Sequence, residues 1–140
     1  MAFERGQTVE IIDMDKGFTN SFYPAVVISQ VTQEKFIIQY STLYDKQIGD
    51  YDEFRPLREF QKEEKIRPTP PEVFVQEFCV NDKVDAYYQD GWWFGRIRRV
   101  KAGEIKKYVV HFNGTKENIE FEVGDLRVHQ VWSQGQWSTP

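Results

Sequence analysis

Short stretches in which apolar and polar positions alternate recur along the whole chain, and a period of two marks strands with one buried face. Residues 8–12, 25–31, 35–40, 83–88, 94–100, 107–112 and 119–121 are rich in β-branched and aromatic side chains, and turn formers bound most of them. In the clearest case Val84 and Ala86 face one way while Asp85 and Tyr87 face the other. Asp90-Gly91 precedes one strand, and Asn113-Gly114, a good tight-turn dipeptide, follows another. Only residues 58–66 read as a helical piece. Pro68-Thr69-Pro70-Pro71 should stop it, continue neither ladder nor helix, and mark a short, stiff connector.

These elements come in two matched sets. Phe3-x-x-Gly6-x-x-Val9-Glu10 returns as Phe78-x-x-Asn81-x-x-Val84-Asp85, 75 residues later. Residues 22–27 return at 92–97, residues 36–40 at 108–112, and Ile66-Arg67 as Leu126-Arg127. Four blocks in the same order predict one small fold used in tandem. The first copy carries five extra residues between its first two blocks, from Asp13 to Asn20, where a difference in role is expected. Five short strands closed on themselves make a small bent barrel without open edges. The expected fold is therefore all-β: two tandem barrels, 1–72 with its helical and Pro-rich connector and 73–140. Each has about 60–70 residues, near the size where a lone core is marginal, so the copies are expected to pack on each other.

Charge sharpens this. The net charge is −4, and all of it lies in the first half. Through Val73, nine Lys and Arg face 13 Asp and Glu; from Phe74 onward the count is nine against nine. An acidic half favours a cationic partner over a phosphate backbone. Aromatic residues make up 16% of a polar chain, more than two small cores need. The single cysteine, Cys79, permits no internal disulfide and fits a reducing compartment. No apolar run is long enough to span a membrane as a helix, and no signal-peptide pattern follows Met1. The chain is expected to be soluble and monomeric, and to be one piece of a longer parent.

The blocks together resemble the plant Agenet family, a branch of the Tudor-like small barrels. The resemblance rests on Gly17-Phe18-x-x-Ser21-Phe22-Tyr23-Pro24-Ala25-Val26-Val27, on Ile66-Arg67-Pro68-x-Pro70-Pro71, and on Val84-Asp85-Ala86-Tyr87-Tyr88-x-Asp90-Gly91-Trp92-Trp93-x-Gly95. Leu126-Arg127-x-His129-x-x-Trp132-x-x-Gly135-x-Trp137 closes it. It implies two Agenet barrels packed as one unit in a nuclear, multi-Agenet protein. It also implies a reader of a methylated histone H3 tail, with dimethylated lysine 9 the favoured ligand, acting in heterochromatin organisation.

Such a ligand calls for particular chemistry. Each methyl group removes a hydrogen-bond donor from the ammonium, so selection falls to aromatic faces, each worth about 0.5–2 kcal/mol. An acid at the rim adds charge and accepts any remaining N–H. In the first copy the implied cage is Phe18, Tyr23, Tyr40 and Tyr44 with Asp13 and Asp45; Asp15, Asp50, Tyr51, Asp52 and Glu53 crowd the same loops. In the second it is Tyr87, Trp93 and Phe112 with Asp90 and Glu117, and Thr115 stands where a further ring is usual. The first copy, carrying the charge, is the first choice. Against this, rings in so small a barrel mostly fill the core. Phe22, Phe36, Trp92, Phe94, Phe121 and Trp132 are assigned there, while Tyr40, Tyr44 and Tyr87 are expected to reach solvent.

Other readings stay open or fall. Arg96, Arg98, Arg99, Lys101, Lys106 and Lys107 form a basic stretch that would suit nucleic acid, or is simply a solvated hairpin. A methylation-independent interaction scaffold is the third reading. His111, His129 and Cys79 cannot form a zinc site of familiar spacing. Ser21 and Ser41 lack His and acid partners in sequence, Ser133 nears His129 only in number, and no Gly-rich phosphate loop is present. No enzyme activity, metal or cofactor is expected.

Overall fold

The computed structural model describes residues 3–15, 18–45 and 55–140, with the side chains of residues 15 and 18–20 also outside the description. Two compact units emerge: Met1–Asp13 with Phe22–Thr69, and Met14–Ser21 with Pro70–Pro140.

Unit 1 is built on β1 (Thr8–Asp15) up to Asp13, β2 (Phe18–Gln30) from Phe22, β3 (Lys35–Asp45), β4 (Arg55–Lys62) and β5 (Ile66–Pro68). The ladder runs β5-β1-β2-β3-β4, so the last strand returns antiparallel onto the first. Alternation is clear in β3, where Phe36, Ile38 and Tyr40 are buried. They pack with Val9, Ile11, Ala25, Val27 and Ile66. The described residues of the insertion, Asp13 to Asn20, are strand. They lengthen the β1–β2 hairpin, with β1 reaching Asp15 and β2 beginning at Phe18.

Unit 2 repeats the plan with β6 (Lys83–Tyr88), β7 (Gly91–Lys101), β8 (Lys107–His111), β9 (Asn118–Phe121) and β10 (Leu126–Val128), in the order β10-β6-β7-β8-β9. A separate hairpin, β11 (Val131–Ser133) and β12 (Gln136–Ser138), sets Trp132 against Trp137 with ring centroids 5.3 Å apart. The core of unit 2 gathers Phe78, Val84, Ala86, Ile97, Tyr108, Val110, Phe112, Phe121 and Leu126.

The repetition extends to single bonds. Gly6 and Asn81 both hold left-handed backbone, at φ 85° and 75°. Their N–H groups donate to Val27 and Ile97 carbonyls at 2.8 and 2.7 Å. Glycine and asparagine tolerate that region best. Each second strand then bulges at the same place, between Val27 and Ser29 and between Ile97 and Arg99.

Three expectations need correction. Residues 58–66 are not helical: β4 fills 55–62 and a single 3₁₀ turn, Glu63–Lys65, follows. Among the described residues there is no α-helix. Local propensity favoured a helix, but the antiparallel register of β4 against β3 prevails. Pro68 does sit in a ladder, opposite Val9 at the end of β5, where its missing N–H does no harm. Asn113-Gly114 is not a two-residue turn. Six residues, 112–117, separate β8 from β9. Phe112 N–H donates to the Glu117 carbonyl, Lys116 N–H closes the turn onto the Phe112 carbonyl, and Lys116 takes the positive φ of 65°. The two-residue turns of this unit are Gln89-Asp90, with φ of 49° and 66°, between β6 and β7, and Gln134-Gly135, with φ of 52° and 76°, between β11 and β12. Positive φ at both residues matches the strand twist.

Asp85 corrects the simple alternation of β6. It faces away from Val84 yet is fully buried. Its Oδ2 accepts from Arg127 Nε at 3.0 Å, and Oδ1 lies 2.7 Å from His129 Nδ1. The Arg127 guanidinium stacks 4.3 Å over Trp92, and His129 lies 4.1 Å from Phe94. Unit 1 holds the counterpart: Glu10 accepts from Arg67 at 2.8 Å, and Arg67 lies 3.5 Å over Phe22. These charges are tolerated inside because each is paired and stacked.

Candidate functional site

The inner faces of both units can be compared position by position. In unit 1, Tyr23 leaves β2 and Tyr40 leaves β3, and their rings meet edge to face at 6.4 Å and 90°. Tyr40 donates its hydroxyl hydrogen to Glu59 Oε2 at 2.9 Å. Gln61 Nε2 donates to the Tyr40 hydroxyl at 3.3 Å and to Glu59 at 3.1 Å. Burial pushes the Tyr40 phenol well above its ordinary value; the hydrogen bond to Glu59, the charge of that carboxylate and the charge of Asp13 push the same way. Asp13 is exposed, and its carboxylate lies near enough for its charge to act on the Tyr40 phenol.

The expectation that Tyr40 reaches solvent is overturned. It is 6% exposed and belongs to the core cluster, because Glu59 and Gln61 satisfy its hydroxyl in place of water. Tyr44 is half exposed, four residues further along β3 and opposite Pro56, and Asp45 lies opposite Arg55. Tyr23 is partly buried against the core. The Phe18 side chain lies outside the described residues, as do Asp15's side chain and Asp50, Tyr51, Asp52 and Glu53.

Unit 2 separates its three candidate rings. Cross-strand pairing places Trp93 opposite Ala86 and Trp92 opposite Tyr87. Ala86 faces the core, so Trp93 does too; Tyr87, 38% exposed, points outward and packs on Trp92 at 5.2 Å. Phe112 is 6% exposed and interior. Tyr87, Trp93 and Phe112 therefore form no common cup. Tyr88 replaces Tyr87 on the inner side, stacking on Phe112 at 6.5 Å and meeting Phe121 at 6.2 Å. Asp90 and Glu117 are exposed, in the β6–β7 turn and at the end of the β8–β9 loop. The indole N–H of Trp93 is buried without an acceptor, at a penalty of about 1–3 kcal/mol.

Equivalent positions thus differ in kind. β4 places Glu59 opposite Ile38 and Gln61 opposite Phe36; β9 places Ile119 opposite Val110 and Phe121 opposite Tyr108. By the repeat, Asp13 corresponds to Tyr88 and Tyr23 to Trp93. Acids and an amide stand beside Tyr40 in unit 1 at positions where unit 2 has rings and an isoleucine. Sequence reasoning missed Glu59, Gln61 and Tyr88. The signal was parity: Leu57, Glu59 and Gln61 alternate, and Tyr88 shares the side of Val84 and Ala86.

The comparisons agree with this fold. The sequence profile of the Agenet domain matches residues 6–71. The chain is 38% identical over 139 residues to "Protein AGENET DOMAIN (AGD)-CONTAINING P1" of Arabidopsis thaliana, and 34% identical to "DUF724 domain-containing protein 3" of the same plant. Those matches take in 99% and 100% of this chain but 26% and 20% of the relatives, so the chain spans about a quarter or less of each. The crystal structure of Arabidopsis thaliana AGDP1 AGD34 superposes with a TM-score of 0.85 at 33% identity, covering 99% of this chain and 90% of that one. The ADCP1 tandem Agenet domain 3-4 gives 0.82 at 31% identity, covering 99% and 88%. Repeat, fold and relatives together place this chain in the Agenet domain family of Tudor-like binding modules, with two copies in tandem.

Proposed function

We propose that the chain is a chromatin reader that seats one methylated lysine of a histone tail against the Tyr23, Tyr40 and Glu59 group of unit 1, in the nucleus. The observation that carries this reading is Glu59 hydrogen-bonded to Tyr40 beside Tyr23, with the Asp13 charge acting on the same phenol. Tyrosine faces attract a diffuse cation, and the carboxylates add charge. A carboxylate that can accept a remaining N–H favours mono- and dimethyl states over trimethyl. Histone H3 dimethylated at lysine 9 is the favoured ligand, consistent with a role in heterochromatin organisation. Tyr44, exposed on the same strand, supplies an outer wall.

A histone tail is disordered and loses entropy on binding, so affinity is expected in the micromolar range, about −7 to −8 kcal/mol. Methylation should change it by about 1–3 kcal/mol. Fluorescence polarisation with H3 peptides unmodified or mono-, di- or trimethylated at lysine 9 tests this. Tighter binding of the dimethyl peptide, lost in Tyr44→Ala without a change in circular dichroism, is the expected result. Equal affinity for all four peptides rules out the reader.

A further inference from the structure

A second surface lies on the outward face of unit 2. Pairing sets Lys83 beside Arg96 and Arg96 beside His111, then Arg99 opposite Val109 and Lys101 opposite Lys107. The bulge adds to it. From buried Ile97, strict alternation would send Arg99 inward; the extra residue leaves Arg98 and Arg99 both exposed before Val100 turns back to the core. Glu120 and Glu122 pair with Lys101 and Lys107 at one end of this face. Lys83, Arg96 and Arg98 have no acid within ion-pair distance among the described residues. From Phe94 to His111 the sequence carries six Lys and Arg and one acid, Glu104. Lys101, Lys106 and Lys107 are ion-paired with Glu120, Glu77 and Glu122, so the surplus rests on Arg96, Arg98 and Arg99 with Lys83 beside them.

The fold does not demand these cations. Unit 1 has the same bulge, yet Val26, Ile28, Ser29, Val31 and Gln39 stand where unit 2 has Arg96, Arg98, Arg99, Lys101 and His111. We infer that this face of unit 2 binds the phosphate backbone of duplex DNA. From Arg96 to Lys101 the strand covers roughly 15 Å at about 3.3 Å per residue. Duplex DNA presents one charge per roughly 1.7 Å of its axis, enough to engage about three or four phosphates here. Base stacking is not the mode: along β7, Phe94 has His129 against it and Trp92 has Arg127 over one face. The inference is independent of the methyl-lysine reading.

Fluorescence anisotropy of a labelled duplex of about 20 base pairs with the 140-residue chain tests it. Affinity should fall roughly 40- to 150-fold between about 50 and 200 mM salt, as three to four released counterions require. Replacing Arg96, Arg98 and Arg99 together by Ala should remove binding and flatten the salt dependence, with the thermal midpoint unchanged. The pair Arg96→Gln and Arg98→Gln, the milder change, should weaken binding at least tenfold. No binding at the lower salt overturns the inference, as does wild-type affinity in the triple variant. Stronger displacement of the duplex by single-stranded RNA or by a polyglutamate peptide overturns it as well, by reassigning the face.

Discussion

Glu10, Arg67 and Phe22 stack inside unit 1 as Asp85, Arg127 and Trp92 do in unit 2, and Gly6 and Asn81 bend the chain alike before each first strand. Against that shared frame, unit 1 presents carboxylates beside tyrosines where unit 2 presents only rings and aliphatics. The outer strand positions that carry Arg96, Arg98, Arg99 and Lys101 in unit 2 carry Val26, Ile28, Ser29 and Val31 in unit 1. The lesson is that framework positions were kept by backbone and burial demands, while side chains at the mouth and on the outer face were free to diverge. On the two proposals above, the copies are specialised, unit 1 for a cation and unit 2 for an anion.

The ion pairs offer the sharpest way to break this comparison. Arg67→Ala strands Glu10 in the interior and should remove about 3–5 kcal/mol of stability in urea unfolding. Arg127→Ala should remove less, because Asp85 keeps His129 at 2.7 Å and Arg127 is the more exposed arginine. Equal losses would show that His129 gives no support.

Gly95 makes the next contrast. A Cβ there would lie 2.5 Å from Val110 Cγ1 and 2.9 Å from the His111 carbonyl, so Gly95→Ala should lose about 1–3 kcal/mol. Its counterpart in unit 1 is Ala25, buried without such a restriction on its Cβ. Ala25→Gly should lose about 1 kcal/mol or less in the same assay.

The Tyr40–Glu59 pair is tested by exchange. Glu59→Ile, which installs the residue of unit 2, should weaken dimethyl-lysine peptide binding by about 1–2 kcal/mol, with Phe36 and Ile38 still buried. Ile119→Glu in unit 2 should create no binding, because Tyr88, Phe112 and Phe121 already occupy the space. Gain of binding there would mean that the acid alone distinguishes the two copies.

Alkaline titration gives the smallest and most specific effect. An unfolded tyrosine ionises near pH 10.0, and Tyr40 in the folded chain ionises higher. Its contribution to stability is thus full below pH 10 and fades as pH rises through the folded-state value. Phenolate absorbance should show one tyrosine titrating late, and Tyr40→Phe should remove that step and about 1 kcal/mol of stability.

Much of this was legible before any coordinates. The repeat located both barrels, and β6 was read to the residue because hydrophobic alternation and flanking turns agreed there. Phe22, Phe36 and Phe121 are core as expected, whereas Trp92, Phe94 and Trp132 are only partly buried: ring area alone does not say which face of a strand carries it. Tyr40 was misjudged because a hydroxyl near water and a hydroxyl near Glu59 look the same in sequence. The 58–66 stretch was misjudged because strong helix formers on an exposed strand respond to their neighbours, not to their own preference.

Taken alone, the order of residues determined the all-β class, the duplication and the unequal charge of the two halves, since composition and period are local properties. Only the folded chain decided which side of each strand a ring occupies, that Glu59 reaches Tyr40 across β3 and β4, and that one bulge turns two consecutive arginines outward. Those facts depend on register, and register is fixed by partners far away in the chain.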